Sequence, residues 1–170
     1  MSALPHDLPR YLPEEPWPPY AYRPGRHPHP TRDPLGHSHS AVGDETPAEP
    51  PEGWRQSHRY LRAIDLFNHG FAWEAHEEWE SMWHRPVDSA QAEWLQALIQ
   101  VAAASVQQSI DHQDGRVRLC HRALDHLRRV HERVPAVYMG LEVEPLRASI
   151  RAWALDATQR PVLRLEASAT

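Results

Sequence analysis

FNHGFAWEAHEEWESMW, residues 67–83, is the stretch of this chain in which aromatic, acidic and imidazole side chains are most concentrated. Gly70 interrupts the pattern near its start and Pro86 follows soon after its end, so the part between them is predicted to be a helix. At about 100° per residue, one face of that helix is apolar. Its members are Phe71, Ala75, Trp79 and Met82.

The other side chains of this helix fall into two groups. Beside the apolar face lie three polar residues, His76, Glu77 and Glu80, with Trp73 and Trp83 among them. Predicted to point away from it are Glu74, Glu78 and Ser81. A carboxylate moved under tryptophans without a partner is costly, or takes up a proton. We therefore expect Glu77 and Glu80 to find cations, donors or a metal, or to stay hydrated.

The order His76, Glu77 and Glu80 is a His-Glu-x-x-Glu pattern on the predicted helix. In zinc proteases the pattern has histidine at both ends, and the first glutamate acts as the base. Here Glu80 replaces the second imidazole, and a carboxylate can ligate zinc, manganese or iron. The pattern thus predicts His76 and Glu80 as metal ligands and Glu77 as a third ligand or catalytic base.

A second interpretation needs neither metal nor catalysis. Gln96 and Gln100 form a polar line on the next predicted helix and could donate hydrogen bonds to Glu77 and Glu80. The chain would then be a helical binding or scaffold module in which a His–Glu–Gln network sets the packing of the helices. Both interpretations stay open at the level of sequence.

The rest of the sequence from Trp54 onward predicts further helices that would form a bundle. Ser57 is a plausible N-cap for a first helix ending at Gly70, and Asp88 with Gln91 resembles a capping box for a third helix reaching His112. A fourth helix follows Asp114-Gly115, with Cys120 in the core and its arginines mostly outward. Those arginines are Arg116, Arg118, Arg122, Arg129 and Arg133. Pro145 suits the start of a shorter helix, and Pro161–Leu165 is predicted to be an extended strap.

The fold class is therefore all-α, a compact antiparallel bundle of four to five helices with a proline-rich extended N-terminal segment. Residues 1–52 are predicted to be an extension with an acidic linker, and residues 53–170 the helical domain. Most of the 17 prolines lie in residues 1–51. Residues 17–38, rich in aromatics and arginine, are expected to lie along the bundle, whereas residues 39–52 resemble a flexible connector; disorder of the whole tail is the alternative.

The N-terminal segment also holds candidate ligands, which could complete a metal shell if it folded over the central helix. They are His27, His29, Asp33 and His37. The competing interpretation is a proline-rich strap whose histidines are incidental.

Composition excludes several classes of function. The chain has 170 residues and a net charge of −5, which does not favour nucleic acid or an anionic membrane. All 18 basic residues are arginine, which excludes lysine chemistry within this chain, and one cysteine cannot form an intrachain disulfide. No apolar segment of signal-peptide or bilayer length is present, so cytoplasm is the expected location. The expected partner is a small molecule or a protein, and a homo-oligomer is left open.

Leu66-Phe-Asn-x-Gly-x-x-Trp-Glu-Ala-His-Glu-x-Trp-Glu-x-x-Trp83, followed by Trp94-Leu-Gln-x-Leu-Ile-Gln-x-Ala-Ala103, resembles the domain-of-unknown-function family numbered 309. The resemblance covers roughly Trp54 to Leu127. These are small all-helical bacterial and archaeal proteins labelled predicted metal-dependent hydrolases, so the resemblance implies a compact helical fold and a metal-dependent hydrolase activity. Where other members often have a basic residue, this chain has Gln107 and Gln108, and its proline-rich leader is an extension.

The family motif carries over onto nine positions of this chain. They are Asn68, Gly70, Glu74, His76, Glu77, Glu80, Trp83, Gln96 and Gln100. Apart from Gly70 and the His-Glu-x-x-Glu residues, these are expected to play supporting or structural roles around the site.

Overall fold

A computed structural model of the chain describes residues 8–41, 43 and 46–167. A short 3-10 helix, Pro51–Gln56, precedes five α-helices. They are α1 His58–Asn68, α2 Ala72–Trp83, α3 Ser89–Ser109, α4 Gln113–His131 and α5 Val143–Leu155. Between α4 and α5 lie two short strands, β1 Val137–Tyr138 and β2 Leu141–Glu142, paired antiparallel. The all-α bundle predicted from the sequence is confirmed, with this small ladder as an addition.

The helices pack mainly on their neighbours in sequence: α1 on α2, α2 on α3, α3 on α4 and α4 on α5. The short connections 69–71, 84–88 and 110–112 turn the chain back each time. The core contains three fully buried tryptophans, Trp79, Trp94 and Trp153. Such side chains bury about 150–250 Å² each and dominate the hydrophobic stabilisation of a small domain.

The apolar face predicted for α2 is confirmed. Ala75, Trp79 and Met82 are fully buried, and Phe71 packs partly buried against the same core. The spacing places these side chains on one side of the helix because successive residues rotate by about 100°. This face orients the rest of α2, and with it the polar residues on its flanks.

The predicted helix boundaries are also found. The Ser57 hydroxyl accepts a hydrogen bond in the first turn of α1, and Gly70 has a positive φ of 91° just after that helix ends. Asp88 caps α3 by accepting from the Gln91 amide at 2.8 Å, while the Gln91 side chain accepts from the Val87 amide at 2.7 Å. The reciprocal pair resembles a capping box displaced by one residue.

Three details of the later helices differ from prediction. Helix α3 ends at Ser109 instead of His112, and α5 begins at Val143, two residues before Pro145. Arg116 was expected to face outward, but it is buried and donates to the main-chain carbonyl oxygen of Trp153. Cys120 lies in the core as predicted, and burial raises the pKa of its thiol to about 11.

The N-terminal segment lies against the bundle, as predicted for residues 17–38. Its anchor on α1 is Asp65, a buried carboxylate that accepts from the main-chain amides of Tyr11 and Leu12, both at 2.8 Å. The Tyr11 and Trp17 rings pack against the hydrophobic core. A chain without regular structure satisfies its backbone amides here through helix side chains, which accounts for burial of a carboxylate on α1.

Residues 46–50 were expected to belong to a flexible connector, and this is wrong. Ala48 is buried, and its amide donates to the Arg85 carbonyl oxygen at 2.9 Å. Arg59 of α1 donates to the carbonyl oxygens of Thr46 at 3.0 Å and Pro47 at 2.9 Å. Asp44 and Glu45, acidic residues of that predicted connector, lie outside the described residues.

The C-terminal strap is confirmed. The buried Asn68 side chain accepts from the Leu163 amide and donates to the Leu163 carbonyl oxygen, both at 2.8 Å. The Leu165 amide donates to the Tyr11 hydroxyl at 2.8 Å. The segments around Tyr11 and Leu165 therefore meet beside α1. None of the helices in the described part of the chain combines the length and apolarity needed to cross a bilayer.

Candidate functional site

His76, Glu77 and Glu80 lie together on the solvent flank of α2. One ligand atom from each can be chosen so that all three lie within 4.8 Å of one another. The His76 Nδ1 atom is 3.3 Å from the Glu77 carboxylate and 3.8 Å from that of Glu80. The grouping follows from the helix, since side chains four residues apart project from the same face.

This cluster is more open than its tryptophan neighbours suggested. The exposed fractions of the side chains are 25% for His76, 40% for Glu77 and 37% for Glu80. The cluster therefore lies beside the apolar face of α2, as expected, but the tryptophans do not enclose it. Water reaches the carboxylates, so their contacts with His76 contribute at most about 1 kcal/mol to stability.

The donor set suits a divalent transition metal. One imidazole nitrogen and two carboxylate oxygens are ligands for zinc, manganese and iron. Ligands about 2.1 Å from a common ion stand roughly 3.0–3.5 Å apart, depending on the geometry. From His76 Nδ1, the 3.3 Å separation to Glu77 lies within this range and the 3.8 Å separation to Glu80 lies just beyond it. All three ligand atoms lie within 4.8 Å of one another, so these partly exposed side chains have to draw together by up to about 1–2 Å to share one ion.

The glutamines of α3 do not complete this cluster. Among the described residues, no hydrogen bond joins Gln96 or Gln100 to Glu77 or Glu80, and the buried Gln100 Oε1 atom has no donor there. The His–Glu part of the network predicted for a scaffold module is present, whereas its Gln part is not. The proposed supporting roles of both glutamines stay predictions.

Asn68 and Trp83, the other predicted supporting residues, occupy structural positions. Asn68 binds the backbone of the C-terminal strap, and the Trp83 ring packs partly buried against the core. Helix α2 thus has a tryptophan at its last residue and the cluster one turn earlier.

Glu74 was predicted to point away from the apolar face into solvent, and this is wrong, because Glu74 is buried. It is only 6% exposed, because the N-terminal segment covers it. Its Oε1 atom accepts from the Tyr22 amide at 2.9 Å and lies 3.0 Å from His37 Nε2. Helical periodicity gives the direction of the side chain but not what lies over it, and no local signal in α2 marks His37 as its partner.

The other candidate ligands of the N-terminal segment are used locally. His27 Nδ1 accepts from the Arg23 amide at 3.2 Å, and His29 Nδ1 from the Thr31 amide at 3.3 Å. Asp33 accepts from the Leu35 amide at 2.9 Å. These are turn contacts. Within the described chain, the only group of three His, Cys, Asp or Glu residues close enough to hold a metal ion is His76, Glu77 and Glu80.

A cleft of about 280 Å³ opens between the N-terminal segment and α2, on the Glu77 side of the cluster. The segment contributes Trp17, His37 and neighbouring prolines, and α2 contributes Trp73, Glu74, Glu77 and Glu78. Glu77 therefore belongs both to the cluster and to the lining of the cleft. Glu78 is held by Arg62, whose Nε lies 3.4 Å from its carboxylate.

Residues 60–119 match the family model described as Domain of unknown function (DUF309). The match confirms the resemblance suggested by the motif. It spans most of α1 to the first part of α4 and includes every site residue predicted on those helices. His37, the other N-terminal candidate ligands and the N-terminal wall of the cleft lie outside the DUF309 region. No curated protein matches the chain. The DUF309 description assigns no function.

Proposed function

We propose that this protein binds a divalent transition metal through His76, Glu77 and Glu80 and acts as a metal-dependent hydrolase. The observation that carries the proposal is the convergence of three ligand atoms within 4.8 Å on a rigid helix, with solvent on the open side. A catalytic ion keeps open positions for water and substrate. When bound, such an ion polarises a substrate oxygen and acidifies water.

The side chains divide the remaining work. His76 faces the carboxylates with Nδ1, so the neutral imidazole would ligate through that atom. Glu80 supplies the second ligand one turn further along α2. Glu77 lines the cleft as well as the cluster, so its carboxylate is placed to take a proton from an attacking water, or to act as the third ligand.

The test begins with metal binding. The purified chain, stripped with chelator, is titrated with zinc, manganese and iron(II) by calorimetry. We expect one site, lost in His76→Ala and Glu80→Gln. His126→Ala is the matched control, because His126 contacts Glu93 at 2.6 Å in a pair that no third His, Cys, Asp or Glu of the described chain completes. Binding unchanged by the first two substitutions, or no binding to the wild type, contradicts the proposal.

Hydrolysis is tested second, with chromogenic phosphate and carboxylate esters. Activity should require the metal and should fall by about 10²-fold or more in Glu77→Gln. If metal binds but no ester is cleaved and Glu77→Gln binds as tightly as wild type, the metal has a structural role. That outcome favours the non-catalytic scaffold interpretation, for which the contacts of His76 with Glu77 and Glu80 are the supporting observation.

A further inference from the structure

The cleft beside the cluster has the features of a binding site in its own right. It lies where a proline-rich segment crosses α2, so its two walls come from parts of the chain far apart in sequence. A volume of about 280 Å³ is at the lower end of small-molecule sites, which suits a ligand of a few carbon atoms with one polar group.

The α2 wall of this cleft is acidic. Glu74, Glu77 and Glu78 follow one another along it, and the cationic side chain among the lining residues is Arg62. Arg62 is shared, since it pairs with Glu15 at 3.0 Å as well as with Glu78. Negative charge in a recessed site attracts cations and disfavours anionic ligands.

Glu74 supplies an independent reason to expect a hydrogen-bond donor in the cleft. Its side chain lines the cleft and is 6% exposed. Oε1 has two partners, but from the described part of the chain no donor reaches the buried Oε2 atom. A buried carboxylate oxygen without a donor is costly, so a ligand bearing N–H groups would satisfy a demand that the protein leaves open.

Apolar side chains on both walls suit the hydrocarbon part of such a ligand. The N-terminal segment contributes Trp17, Pro16, Pro18 and Pro19, and α2 contributes Trp73. The segment already places one cation against an aromatic ring, because the guanidinium of Arg10 lies 4.1 Å from the ring centroid of Trp17.

We propose that this cleft binds a small organic cation, an alkyl chain ending in an ammonium or guanidinium group. The charged end contacts the carboxylates of α2, and the alkyl chain lies against the tryptophans and prolines. The site goes beyond the proposed metal centre, since only Glu77 belongs to both. The His76 and Glu80 ligands are not part of the cleft lining.

The test uses the full chain, stripped of metal with chelator. Two probes share the same butyl chain, and only one of them is charged. n-Butylguanidinium is compared with n-butanol by calorimetry and by NMR of the tryptophan indole N–H groups. We expect saturable binding of the cation that weakens with added salt, a shift of the Trp73 indole signal, and no comparable binding of the alcohol. Equal binding of both probes, or no saturable cation binding up to about 10 mM, overturns the proposal.

Variants separate this site from the metal centre. Glu78→Gln should weaken cation binding about threefold to fivefold, the effect of removing one partly exposed charge partner, and leave metal binding intact. Glu80→Gln should abolish metal binding and leave cation affinity unchanged. Glu93→Gln, a distant carboxylate, controls for net charge. Trp73→Leu provides a second cleft variant. Cation binding that follows Glu80→Gln instead of Glu78→Gln would mean that the probe occupies the cluster, which contradicts the proposal.

Discussion

Helix α2 carries two pairings of histidine with glutamate, and they differ in almost everything except residue type. Glu74 and His37 meet at 3.0 Å under the N-terminal segment, with 7% of the His37 side chain and 6% of the Glu74 side chain exposed. Half a turn along, His76 faces Glu77 and Glu80 at the surface. The first pair joins two parts of the chain, whereas the second joins neighbours on one helix.

The difference shows how burial assigns roles to the same side chains. A buried carboxylate must be satisfied by fixed donors, so Glu74 holds a segment of chain in place. A half-exposed carboxylate is satisfied by water and can exchange that water for a ligand. The covered pair is therefore expected to affect stability, and the open cluster to affect binding.

The largest effect is expected for Glu74→Ala. It leaves the Tyr22 amide and the His37 ring without their acceptor, which should lower the free energy of unfolding by about 2–3 kcal/mol. Thermal and urea unfolding measure the loss. Glu77→Ala, on the same helix but open to solvent, is the matched control and should change the free energy by less than about 0.5 kcal/mol. Equal losses in the two variants would remove the contrast between the pairs.

His37→Ala tests the other half of the covered pair. Glu74 keeps the Tyr22 amide but loses one hydrogen bond, so we expect a loss of about 1–2 kcal/mol in the free energy of unfolding. The double variant with Glu74→Ala should lose less than the sum, because both changes remove the same contact. Additive losses would show that the two side chains do not interact in solution.

Metal addition sharpens the comparison from the open side. Saturating zinc at about 100 times its dissociation constant should raise the free energy of unfolding by about 2.7 kcal/mol if the metal binds only the folded chain. This increment should vanish in Glu80→Gln and persist in His37→Ala. Differential scanning fluorimetry with and without zinc measures this increment. Its loss in His37→Ala would mean that zinc binds at the Glu74–His37 pair, which contradicts the proposal.

The smallest effect concerns a third pair, between α3 and α4. Burial acts to raise the pKa of Glu93, but hydrogen bonds from His126 and Arg129 outweigh it, and the pKa of that carboxyl is lowered. Its stabilising contribution is therefore full above the unfolded-state pKa of about 4.3 and is lost as pH falls through the lower pKa of the folded chain.

Glu93→Gln should accordingly flatten the acid side of the stability curve, by less than about 1 kcal/mol because the pair is partly exposed. Urea unfolding across the acid range measures this. The same substitution at Glu77 supplies a comparison within the open cluster. A steeper acid dependence in Glu93→Gln than in wild type would contradict the assignment.

Much of the site was accessible from local pattern. The spacing of Ala75, Trp79 and Met82 orients α2, and that orientation places His76, Glu77 and Glu80 on a common flank. The local pattern did not predict that the N-terminal segment lies over Glu74. Tyr22 and Glu74 are 52 residues apart, and a proline-rich segment has no periodicity from which its path over the helix could be inferred.

Gln96 and Gln100 of α3 also show what helical periodicity cannot predict. Their spacing was compatible with hydrogen bonds to Glu77 and Glu80, yet in the described structure those bonds are not formed, and Gln100 Oε1 is buried without a donor. Helical phase gives the face on which a side chain lies. It does not give the distance between two helices, which depends on the packing of all residues between them.

Residue order alone was enough for the helices, their caps, the apolar face of α2 and the makeup of the His76 cluster, since each depends on groups within a few residues of one another. Long-range packing assigned the rest: the burial of Glu74, the clamping of the N-terminal segment by Asp65, the cleft lined by Trp17 and Trp73, and the exposure that separates a structural carboxylate from a candidate ligand. Burial depends on what the whole chain places over a side chain, and no local rule contains that information.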